Sequence, residues 1–116
     1  MGNRSEEREE FLADVMTTAV EGGIGYWSRV RGYKWDCPPA EATVEVQSID
    51  DRKWAVVTIG TIAKGIGKVF RDEVKINPEL RKRIIRASVQ NDAGELDASD
   101  ADAVLQVGIF GEVVYG

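Results

Sequence analysis

Six side chains suited to recognition fall within one short stretch: Tyr26, Trp27, Arg29, Arg31, Tyr33 and Trp35. The stretch holds two of the chain's three tryptophans and two of its three tyrosines, interleaved with cations. Rings beside guanidinium groups can stack on nucleic-acid bases, line a small-ligand pocket or anchor a partner protein. They can equally fill the core of a small domain, since a ring buries about 150 Å² or more. In an unbroken strand Trp27, Arg29, Arg31, Tyr33 and Trp35 share one face, and Tyr26, Ser28, Val30 and Lys34 the other. Neither face is cleanly apolar. The pattern predicts a strand bent near Gly32, with one of Trp27 and Trp35 in the core and the other beside a groove with Arg29 or Arg31.

Other chemistry is sparse. Histidine is absent, which removes Ser–His and Cys–His pairs, imidazole metal ligands and the usual base near neutral pH. A single cysteine, Cys37, cannot form an internal disulfide and fits a reducing compartment. Asp97, Asp100 and Asp102 lack calcium-loop spacing and read as acids opening a helix. Gly60, Gly65 and Lys68 fail the phosphate-loop pattern, because Ile66 stands where that loop needs its lysine. No catalytic residue, metal or cofactor is expected.

Charge is segregated under a net −5. Arg4 and Arg8 oppose Glu6, Glu7, Glu9, Glu10, Asp14 and Glu21 near the start. Residues 60–90 are basic, and residues 91–116 carry acids and no base. The acidic ends can dock on the basic middle, or that middle can offer a face to an acidic partner. Lys82, Arg83 and Arg86 form the candidate basic patch. A helix-turn-helix would present them to DNA, but the Arg71–Asn77 connection is longer than the usual three or four residues. The acidic chain also disfavours phosphate contacts.

These residues need elements to position them. At 116 residues the chain is one domain, 1–116. Asn3 or Ser5 caps a first helix, whose apolar stripe is Phe11, Leu12, Val15, Met16, Ala19 and Val20. Gly22-Gly23 reads as its left-handed cap. A strand over 25–35 follows, then a Pro38-Pro39 loop. A hairpin spans about 42–59, from Thr43–Ile49 through Asp50-Asp51 to Trp54–Ile59. A second helix begins near Thr61, with Ile62, Ala63, Ile66, Val69 and Phe70 on one face. Gly65 and Gly67 cost it about 1 kcal/mol each, which implies close packing or a shortened helix. Asn77-Pro78 starts a third helix over 78–90, with Leu80, Ile84 and Ile85 inward. Ser99 and Asp102 read as the capping box of a fourth. Residues 112–116 form a short strand or tail. The sum is α+β: a small antiparallel sheet with about four helices on one face. No apolar run is long enough for a membrane span, and no export signal opens the chain.

Val15–Trp27, Thr61–Gly67 and Asn91–Ala98 through Phe110–Gly116 resemble a family of small proteins of unknown function from actinobacteria and their bacteriophages. The resemblance implies a phage or mobile-element accessory protein in the host cytoplasm. It supplies no activity, ligand or catalytic residue. The function expected is therefore non-enzymatic binding of a host or phage protein. A small-ligand or nucleotide site in the block 26–35 comes second, and nucleic-acid binding through the helix 78–90 third. An oligomer is compatible with all three.

Overall fold

The computed structural model describes residues 4–116. Helix α1 runs over Glu6–Gly22, and Ser5 caps it by accepting the Arg8 N–H at 3.1 Å. Asn3, the other candidate cap, lies outside the described residues. Phe11, Leu12, Val15, Met16 and Ala19 form its buried stripe. Gly22-Gly23 is not a left-handed cap: Gly22 is helical and Gly23 has φ −113°. What Gly23 supplies is room, because a Cβ there would lie 2.6 Å from the Ala98 carbonyl oxygen.

The sheet has three antiparallel strands in the order β1-β2-β3: Ser28–Lys34, Thr43–Ser48 and Ala55–Thr58. β1 is shorter than the strand expected over 25–35, and Trp27 and Trp35 flank it. The ladder runs Arg29 opposite Gln47, Val30 opposite Val46 and Arg31 opposite Glu45, then slips before Lys34 meets Thr43. Gly32 lies within the slip at φ +62°, a left-handed conformation that glycine adopts without strain. Val44, Val46, Ser48 and Val57 are buried beneath the helices. The opposite face carries Glu45, Gln47 and Val56 and has no helical cover. Ile49 is 62% exposed rather than a strand residue, and Ile59 opens the next helix.

Helix α2 spans Ile59–Phe70 and starts earlier than expected, because Thr58 and Thr61 cap it reciprocally. It continues unbroken through Gly65 and Gly67. Helix α4, Ala98–Phe110, crosses it so closely that a Cβ on Gly65 would fall 2.3 Å from the Val104 oxygen. A Cβ on Gly108 would fall equally close to the Thr61 oxygen, at 2.3 Å. Close packing is thus the reason for Gly65. Between them α3 covers Pro78–Gln90, capped by Asn77 accepting the Glu79 N–H at 2.8 Å. Ile84 is buried with Ala87 and Ser88, while Leu80 and Ile85 are half-buried.

The box that opens α4 is Asp97 with Asp100, not Ser99 with Asp102. Asp100 N–H donates to Asp97 at 2.7 Å. That register leaves Asp102 free to point inward. α4 is buried from Asp100 to Gly108 and lies at the centre of one apolar cluster with α1, α2, β2 and β3. Residues 112–116 pair with no strand.

Candidate functional site

The aromatic–basic block divides at Ser28. Tyr26 and Trp27 turn toward α4, the strand residues turn outward, and Tyr33 ties the far end of β1 to α1. Trp27 is fully buried, and its ring stacks on Tyr115 with centroids 5.1 Å apart and planes 5° from parallel. Its indole N–H donates to Asp102 Oδ1 at 2.8 Å. Gln106 donates to the same oxygen at 2.9 Å, and Tyr26 OH to Asp102 Oδ2 at 2.7 Å. Tyr26 is 55% exposed, but desolvation of its hydroxyl where it meets Asp102, and after it the hydrogen bond itself, push the phenol up to about 12. Gln106 Oε1 in turn accepts the Val114 and Tyr115 N–H groups at 2.8 Å each, which fixes the tail over Trp27.

Tyr33 is half-buried, its hydroxyl 2.7 Å from that of Thr17. Arg29 is exposed and makes no ion pair among the described residues. Arg31 lies over Trp54, its guanidinium carbon 4.0 Å from the ring centroid, and pairs with Glu45 at 3.2 Å. The expected groove joined the exposed member of Trp27 and Trp35 with Arg29 or Arg31; the ring that Arg31 covers is instead Trp54. Trp35 stands 64% exposed just past the strand.

β1 overhangs the helices. Val30 shares a face with buried Val46, its cross-strand neighbour, yet is itself 42% exposed. β1 is also a terminal strand, so its outer edge pairs with no other strand. Arg29, Arg31, Lys34 and Trp35 are all exposed along it.

Around the basic patch the first of the two charge readings holds, with acids of the C-terminal quarter against two of its three cations. Arg83 holds Asp100 through two hydrogen bonds of 2.9 and 3.1 Å, and the Asp100 side chain is only 4% exposed. Arg86 pairs with Glu95 at 3.0 Å and Lys82 with Glu79 at 3.7 Å. Arg83 and Arg86 thus meet acids of the C-terminal quarter, while Lys82 pairs within its own helix and stays exposed. Asp97, Asp100 and Asp102 serve a cap, an ion pair and a buried network, and no metal-holding cluster is found among the described residues.

Sequence reasoning takes Asp102 only as a helix-opening acid and a capping residue, and it does not single out Gln106. Their signal was there: two polar residues one helical turn apart inside the apolar run Ala101–Val107. Trp54 was read as a strand former, and its role follows from register.

No family model, curated protein or solved structure matches the chain. Among the described residues no helix is long and apolar enough to cross a membrane.

Proposed function

We propose that this chain is a non-enzymatic accessory protein that binds a partner protein along β1, and that the partner contributes an acidic extended segment. The observation that carries this reading is the overhang. β1 is open at its edge and on its inner face at Val30, and an exposed tryptophan, Trp35, follows its last residue. Backbone groups of an uncovered edge give affinity to an added strand, and side chains beside it give selectivity. An open edge also invites a second copy of the same strand. Arg29, Arg31 and Lys34 oppose that pairing by like-charge repulsion, and the slip at Gly32 shortens the stretch that can pair. The same cations attract acids. Trp35 is the anchor, since tryptophan and arginine dominate protein hot spots. The family resemblance would place the partner among host or phage proteins.

The test is selection from a random-peptide display library with the whole protein as target. Enriched peptides should carry Asp or Glu at alternate positions beside an apolar residue. Trp35→Ala should weaken them by about 1–3 kcal/mol without unfolding the protein. Enrichment of basic peptides, or binding indifferent to Trp35, would contradict the reading.

A further inference from the structure

Beside the first turns of α4 lies a cavity of about 670 Å³. It opens between the end of α1, the start of α3, the first turns of α4 and the C-terminal tail. Ile76, Leu80, Ala98 and Val113 give it apolar walls, and the exposed Tyr26 and the buried Asp102 add polar groups to its lining. Its volume is in the range of small-molecule sites, which pair apolar walls with a few fixed polar groups.

Asp102 gives the cavity its chemistry. The residue is 6% exposed. Its three hydrogen-bond donors are an indole, a carboxamide and a phenol, all neutral. Asp102 makes no ion pair among the described residues. A carboxylate accepts about four hydrogen bonds, so Oδ2, with Tyr26 alone, keeps a place for one more. Burying a carboxylate without a cation carries a desolvation penalty that neutral donors offset only in part. Lys75 is the one cation among the lining residues, and it sits at an exposed position where water screens it. The cavity's least screened charge is therefore negative.

We propose that this cavity binds a small organic ammonium ion, with the ammonium donating to Asp102 and the apolar body against Ile76, Leu80 and Val113. The site is independent of β1. The ligand class follows from a buried carboxylate whose partners carry no charge.

The test is a titration of the whole protein with benzylammonium, benzyl alcohol and phenylacetate, followed by the indole N–H resonances of its three tryptophans. Trp27 reports on Asp102 directly, while Trp35 and Trp54 serve as internal controls. Benzylammonium should move the Trp27 signal saturably and leave the other two in place. Benzyl alcohol should bind at least about tenfold more weakly, the worth of a hydrogen bond to a charged group. Asp102→Asn should weaken benzylammonium by a similar factor. Should that variant fail to fold, Ser99→Trp fills the mouth from an exposed position and should abolish the response. An unmoved Trp27 signal at tens of millimolar ligand would overturn the proposal. So would equal or tighter binding of phenylacetate, or a response that survives Ser99→Trp.

Discussion

Trp27 donates its indole N–H to Asp102 at 2.8 Å, and this one bond joins the residue before β1 to the second turn of the central helix. It also separates two tryptophans that strand periodicity puts on one face. Trp27 is sealed in the core and Trp35 stands in solvent. Trp27→Ala should cost about 3–5 kcal/mol, a large part of the stability of a small domain. Trp35→Ala should stay within about 0.5 kcal/mol of the parent. Urea denaturation of both variants measures the contrast, and equal losses would show that Trp35 is also architecture.

Two helical glycines should respond in opposite directions. Gly65→Ala drives a methyl into the Val104 carbonyl, which α4 cannot withdraw without moving. It should destabilise by about 1–3 kcal/mol despite alanine's better helix propensity. A Cβ on Gly67 meets only the flexible end of Arg71, at 3.0 Å. Gly67→Ala should therefore stabilise by about 0.5–1 kcal/mol. Thermal melts of the two variants test the close crossing of α2 and α4.

On the third helix the three cations should rank by what they hold. Arg83→Ala strands Asp100 in a buried position, so it should lower the melting temperature more than Arg86→Ala, and Lys82→Ala should change it least. Equal effects for all three would mean that Arg83 and Asp100 are not coupled in solution.

Alkali should weaken the fold through Tyr26. Its phenol ionises near 10.0 in an unfolded chain and at about 12 in the folded one. The stabilisation is fully present below about 10 and is lost as pH rises toward about 12, because the unfolded state releases its proton first. Denaturation midpoints across that window should fall less steeply for Tyr26→Phe than for the parent.

Much of the frame is legible in the sequence because its signals are local. Ser5 and Asn77-Pro78 mark helix starts through their own side chains and backbone, and the alternation in Thr43–Ser48 marks a half-buried strand. What is not legible depends on tertiary partners. Asp97 with Asp100 and Ser99 with Asp102 are equally good boxes by spacing. The choice fits the partners that Arg83 and Trp27 supply from distant elements. Gly22-Gly23 reads as a cap until Ala98 is seen beside it. The stacking of Arg31 over Trp54 depends on the register of three strands. For the candidate site, composition could point to the residues of the block, but only packing shows which of them face solvent.

The central claim is that β1 receives an acidic segment, and charge exchange across that contact tests it most directly. A selected acidic peptide should bind the parent and lose most of its affinity for Arg29→Glu. The same peptide with Lys in place of its acids should show the reverse preference. Amide resonances of 28–35 and 43–47 should move on binding, with those of 78–90 unchanged. Tight binding of both peptides to both proteins, or shifts centred on 78–90, would contradict the account.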